Sequence, residues 1–369
     1  MELPQSSELN IGYLSRLFDN TSECYKFFWF QAVLQGVREG RSELSFEELI
    51  DEMIAEAWYM VSEYHLNLGP RDNLESVIGH VQKTTGMAPA EKKAEILKYL
   101  ASSDDREILR LKRVLMHNVP YRLQAPFMPE MKGSAWNCAD GELARRVNLQ
   151  NQQNRLIYYF AAFSGLQTRI RIEPAWADYL KRNMEIVEGW VEYNLILYLQ
   201  RRNPNVPGIS EKLYPPQERR LESVKKYWKL LVGLQPVREI YGGLLLTDSD
   251  ISIDHFVPWS YVAHDELWNL LPTTKSINSS KSNSLPEWDV YFGRFAEQEY
   301  FSYRMIWQYD SVHAQFEKCA KEHLNSDEIR YRLYREGLEK TVFEKQLAET
   351  VQPVYQSAKN CGFGEWVYR

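Results

Sequence analysis

A mainly α fold built around one small ββα domain is what this 369-residue chain predicts. Three observations predict it. Apolar residues recur at helical spacing over most of the chain. Strand-like patterning is concentrated near residue 250, between Pro236 and Ile253. A short helical segment around Thr274–Asn283 follows, giving strand, strand and helix in one compact frame.

From the N-terminus, SECYKFFWFQAVLQGVREG (22–40) opens on a Ser cap candidate and stops at Gly40. SFEELIDEMIAEAWYMVSEYHLNLG (45–69) places Glu48 three residues after Ser45, a capping box. Phe46, Leu49, Ile50, Met53, Ile54, Ala57, Trp58 and Val61 form its apolar face. Residues 73–86 continue the pattern, and 89–120 read as two helices broken at Ser102–Asp105. Two Pro and two Gly with little periodicity make 121–148 a loop or junction. Helical pattern resumes over 151–163 and in a long helix over 174–202, with Pro174 at its first turn and NPNVPG ending it. A helix over 216–234 leads to Pro236. The stretch VREIYGGLLLTDSDISIDHFVP then reads as two strands joined by the turn Thr247–Asp250, and the tail from 287 is helical again. The expected regions are 1–131, a basic helical 132–235, the ββα domain at 236–290, and a helical 291–369.

Four cysteines, Cys24, Cys138, Cys319 and Cys361, lie far apart with no CxxC pair. That argues against a zinc knuckle or a disulfide framework and agrees with a reducing cytoplasm. The first residues carry neither a basic leader nor a long apolar run, and no stretch reaches the roughly 20 apolar residues of a membrane span. A soluble cytoplasmic protein is expected. Net charge is −6, but residues 1–131 hold 14 Lys and Arg against 20 Asp and Glu, whereas residues 142–230 hold 15 against 9. Phosphate contacts are therefore expected in the middle of the chain. The pairs Arg145-Arg146, Arg201-Arg202 and Arg219-Arg220 are the candidate DNA track, each singly more typical of a solvated helix face. Arg330, Arg332 and Arg335 with Tyr331 and Tyr334 form a second basic-aromatic stretch.

The chemistry-bearing run is IDHFVPWSYVAHDELWNLLPTTKSINSSKSNSLP (253–286). Asp254 and His255 end a β-branched stretch, Asn269 follows fourteen residues later, Asn278 nine after that, and Lys281 three further on. A histidine there can take a proton from water, because its ordinary pKa is near neutral. Asp254 and Asn278 offer hard oxygen ligands of the kind Mg²⁺ or Mn²⁺ takes, and Lys281, on the same helical face as Asn278, can hold a phosphate oxygen. Asn269 pins the loop 259–272 through its backbone, or else is a plain turn residue. Adjacent strand residues face opposite ways, so Asp254 and His255 both serve only if the strand end bends or a phosphate lies between them. His264 in the loop and His117 read as residues without a role in the site, and the hydroxyls of 273–276 as helix caps.

Asp-His-x-Val-Pro-x-Ser, with these Asn and Lys positions and the Pro beyond, resembles the HNH domain of RNA-guided CRISPR effectors and of related bacterial HNH endonucleases. The resemblance covers 236–290. It implies His255 as general base, Asp254 and Asn278 as metal ligands, Asn269 as a structural residue of the site, and DNA as substrate. A single such site cuts one strand at a time, so a monomer would nick and a dimer could cut both strands. Relatives often carry paired cysteines at the hairpin; Tyr241-Gly242-Gly243 stands where such a pair would begin, so no structural zinc is expected. Nothing resembles a RuvC domain or a PAM-reading region, so no guide RNA is implied. By architecture the chain is similar to anti-phage defence effectors such as the nuclease of type II Zorya systems, whose partners would be other proteins of a defence operon. The alternatives are a mobile-element or homing endonuclease, and a non-catalytic DNA-binding protein with a relic HNH fold.

Overall fold

The computed structural model describes residues 2–215 and 221–369, with the backbone alone for 151–154. It is mainly α-helical, as expected. The chain forms two compact units, residues 1–204 with 212–215, and residues 205–211 with 216–369. No described helix is long and apolar enough to cross a membrane.

In the first unit, Ser45 caps helix Phe46–Ser62 and forms the full capping box with Glu48. Asp105 caps Arg106–Leu115 after the break that follows Lys93–Ser102, and Gly86 ends Leu74–Thr85 in the left-handed conformation that glycine adopts without a Cβ penalty. Three expectations are corrected. A helix, Asp140–Asn154, occupies the end of the stretch 121–148 expected as loop, and most of the helix expected over 151–163 is replaced by β2 (Tyr158–Ala162), in a sheet of order β1-β3-β2 with β1 (Glu43–Ser45) and β3 (Arg169–Ile172). Its open edge is completed by side-chain amides. Gln124 bonds both the N–H and C=O of Tyr158 at 3.0 and 2.9 Å, and Asn148 does the same for Phe160 at 2.8 and 2.7 Å. Those distant partners, and the aromatic run Tyr158–Phe160, override the local helical pattern. The long helix over 174–202 is two helices, Pro174–Arg182 and Met184–Arg202, parted at Asn183, whose side chain turns back to the Tyr179 carbonyl.

In the second unit, helices Glu222–Leu234, Trp288–Gln308, Asp310–His323, Asp327–Tyr334 and Lys340–Asn360 surround β4 (Ser252–His255), β5 (Leu270–Thr273) and the short helix Lys275–Lys281. Strands β6 (Leu285–Pro286) and β7 (Glu365–Trp366) pair in parallel. The ββα segment and the C-terminal helices share one core, in which Phe256 stacks on Phe295 with ring centroids 4.3 Å apart. The expected hairpin is also corrected. Residues 238 and 245 form only an isolated bridge. The partner of β4 is β5, on the far side of the loop, with Asp254 opposite Leu271 and His255 opposite Leu270.

One buried carboxyl in this core has a measurable signature. Glu299 is 4% exposed, its Oε1 has no partner among the described residues, and Tyr227, Trp228, Leu270 and Phe316 line the space around it. Burial pushes its pKa well above the usual carboxylate range. The folded state therefore holds this proton more tightly than the unfolded chain does. The associated stability is complete below the unfolded pKa and declines as pH rises toward the folded one. Glu299→Gln should gain on the wild type by up to about 1.4 kcal/mol per pH unit above roughly pH 5. Urea unfolding across that range checks it, and a difference that stays constant with pH would show the carboxyl to be ionised in the fold.

Candidate active site

Asp254 and His255 end β4, and both are 4% exposed. Their side chains have different partners, as strand alternation dictates. The Asp254 carboxylate accepts the Tyr241 hydroxyl on Oδ2 at 2.7 Å and the Lys281 ammonium on Oδ1 at 3.1 Å. Lys281 also donates to the His255 carbonyl at 2.8 Å, which ties the C-terminal end of the short helix to the end of β4. Its side chain is completely buried. Burial, reinforced by the Asp254 charge, pushes the Tyr241 phenol far above its ordinary pKa, so it remains a donor.

Helix Lys275–Lys281 starts where Thr274 accepts the Ile277 amide. One turn on, Asn278 donates its side-chain amide to Ser252 Oγ at 2.9 Å and to the Ile253 carbonyl at 3.0 Å. With the amide nitrogen committed, Asn278 Oδ1 is the remaining ligand atom, and it accepts no bond among the described residues. The helix therefore sets its Asn and its Lys against the same strand.

The loop between the strands is closed by Asn269, which is fully buried. Its side chain accepts the Val257 amide at 2.7 Å and donates to the Val257 carbonyl at 2.9 Å, while its own carbonyl accepts from Phe256 at 2.9 Å. An amide side chain thus takes the place of a strand partner just where β4 ends. His255 Nε2 lies 2.7 Å from Oδ1 of Asp265, inside this loop. His264 beside it is exposed and has interactions of its own.

Tyr241, Asp265 and Glu239 were not legible as site residues in the sequence. The Glu239 carboxylate is buried and accepts the backbone amides of Tyr241, Gly242 and Leu244 at 2.7 to 2.8 Å, pinning the turn that presents Tyr241. The only signal was Tyr241-Gly242-Gly243 in place of a cysteine pair. Asp265 offered none beyond lying in the loop.

Most of the described arginine candidates have partners of their own. Arg145 and Arg146 both bond Glu142, and Arg146 also bonds the Ala135 carbonyl. Arg202 donates to the Ser22 carbonyl at 2.6 Å and lies over Tyr198, while Arg201 is exposed. All four belong to the first unit. Arg219 and Arg220 lie outside the described residues. In the second unit, Arg330 and Arg332 pair with Glu317 and Glu328, and Arg335 lies over the Tyr331 ring. His117 pairs with Asp140.

Residues 239–287 match the family model described as HNH endonuclease. That stretch contains both strands, the loop and the short helix. No curated protein matches the chain. No solved structure matches it either.

The Asn269 clamp carries a direct test. Asn269→Ala leaves the Val257 N–H and C=O buried and unpaired, a cost of about 2–4 kcal/mol. Chemical denaturation should show that loss, and a variant as stable as the wild type would mean the clamp is dispensable.

Proposed function

We propose that the chain is a metal-dependent HNH endonuclease that hydrolyses DNA phosphodiester bonds, nicking one strand at a time as a monomer, and that it serves bacterial anti-phage defence. The observation that carries the chemistry is the pairing of Asp254-His255 at the end of β4 with Asn278 and Lys281 on the helix after β5. The defence role rests only on the resemblance of its architecture, and other proteins of a defence operon would be its partners.

The donor set suits a small hard cation. Asp254 keeps acceptor capacity beyond its bonds to Tyr241 and Lys281, since an ionised carboxylate has about four lone-pair sites. Asn278 Oδ1 is held in orientation by the two bonds of its own amide nitrogen. Among the described residues no three His, Cys, Asp or Glu form a metal-binding group. One carboxylate and one amide oxygen nonetheless match Mg²⁺, which usually keeps several waters. Asp254 and Asn278 would hold Mg²⁺ or Mn²⁺, and such an ion supplies charge neutralisation at the scissile phosphate and the departing oxygen.

The other steps belong to the chain itself. His255 takes a proton from water as the water oxygen bonds to phosphorus. The bond from phosphorus to the 3′ oxygen breaks, the electron pair leaves with that oxygen, and it is protonated by a water. A phosphate lying across the end of β4 reaches both Asp254 and His255, although they face opposite sides of the strand. Lys281 sets the Asp254 carboxylate through its bond at 3.1 Å and adds positive charge beside the phosphate. Asn269 acts at one remove, by fixing the loop that returns across the site. Arg145, Arg146, Arg201 and Arg202, with Arg219 and Arg220, are proposed to hold the DNA backbone on the strength of the basic middle segment.

Supercoiled plasmid incubated with the protein and Mg²⁺ or Mn²⁺ should be converted to the open circular form. His255→Ala should abolish this while the chain still folds, as circular dichroism would show. Undiminished nicking by that variant would remove His255 from the mechanism. Tyr241→Phe removes one of the two bonds that orient Asp254. It should raise the Mn²⁺ concentration needed for half-maximal binding, read by Mn²⁺ electron paramagnetic resonance without DNA. Unchanged binding would show that Lys281 alone is enough to orient the carboxylate.

A further inference from the structure

We infer that Asp265 is the positioning residue that makes His255 a base, by fixing the tautomer and rotation of its ring; this rests on the reading of His255 as general base. His255 Nε2 and Asp265 Oδ1 are 2.7 Å apart, and the two side chains are 5% and 16% exposed. An ionised carboxylate can only accept, so the proton of the neutral imidazole must sit on Nε2. The basic lone pair is then on Nδ1, the nitrogen on the other side of the ring from Asp265. When Nδ1 takes the proton of the attacking water, the imidazolium gains an adjacent negative charge that was already in place. Asp265 neither gains nor loses a proton in this step.

The loop that carries Asp265 is tied to the helical shell independently of His255. The Asp265 carbonyl lies 3.0 Å from His323 Nδ1, at the end of helix Asp310–His323. The other ring nitrogen of His323 is 3.2 Å from Ser223 Oγ, on helix Glu222–Leu234. Glu266, the next residue, accepts the Asn325 side-chain amide at 2.7 Å, and its carbonyl accepts the Asn269 backbone amide at 2.9 Å. Asp265 is thus held through its own carbonyl and through the residue that follows it. A ring hydrogen-bonded to a carboxylate anchored in this way cannot turn freely about its χ angles. The geometry has the logic of a base whose orienting group is itself fixed.

Asp265→Asn tests this, because the amide keeps the shape of the carboxylate but can donate to the ring nitrogen and favour the wrong tautomer. In the full chain on supercoiled plasmid, with saturating Mg²⁺, kcat should fall on the order of 10²- to 10⁴-fold while KM stays near the wild-type value. In protein labelled with ¹⁵N-histidine, long-range ¹H–¹⁵N spectra should show His255 as the Nε2–H tautomer in the wild type. That bias should be lost in Asp265→Asn. The His255 signals are assigned by their absence in His255→Ala, and equal melting temperatures separate positioning from folding. A His255→Ala protein that nicks at the wild-type rate overturns the base reading and this inference with it. An inactive His255→Ala protein beside an Asp265→Asn protein of undiminished kcat overturns this inference alone.

Discussion

A carboxylate buried as deeply as Asp254 must be compensated where it sits, and the candidate site is organised around that requirement. Removing a charge from water costs several kcal/mol unless partners repay it, and a buried pair repays it only with good geometry and further hydrogen bonds. Lys281 supplies the opposite charge and Tyr241 the second hydrogen bond. Each of these partners is anchored in turn. Lys281 is held by the His255 carbonyl as well, and Tyr241 stands on a turn fastened by Glu239. The angle between the short helix and β4 follows from this set of bonds. So does the placement of Asn278, one turn before Lys281 on the same helix.

A second constraint acts at the end of β4, where the chain must leave the sheet without stranding buried backbone groups. Asn269 meets it by offering one acceptor and one donor to the same residue, Val257. The loop 256–269 can then be long and yet defined, and a defined loop is what lets Asp265 meet the His255 ring. The first unit uses the same device at the edge of β2, where Gln124 and Asn148 replace an absent strand. In both places a side-chain amide, the one neutral group that both donates and accepts in a planar fork, completes a backbone ladder.

The helical character of the chain could be read because helices announce themselves locally. Ser45 with Glu48, Asp105 and Gly86 lie at or beside the boundaries they set, within four residues of the groups they satisfy. The strands did not announce themselves in this way. Tyr158–Ala162 fits a helical pattern until its pairing with Arg169–Ile172 is known, and the partner of β4 lies beyond a loop rather than across the nearer turn at Thr247–Asp250. Strand pairing is a contract between distant backbones, which carry the same groups whatever the side chain.

The sequence by itself supplied the residues on which the proposed chemistry rests. Asp254, His255, Asn269, Asn278 and Lys281 fall within one run of 28 residues, and their spacing matches one family model over 239–287. Those residue types are the ones that the proposed water activation, phosphate contact and hard cation would need, so they are visible as letters. Only the tertiary structure decided how they are held. Tyr241 on Asp254, Asp265 on His255 and His323 behind Asp265 are common residues with no distinctive spacing. Their roles come from hydrogen bonds that exist only once the loop and helices have packed, because direction and distance are properties of the fold and not of the order of residues.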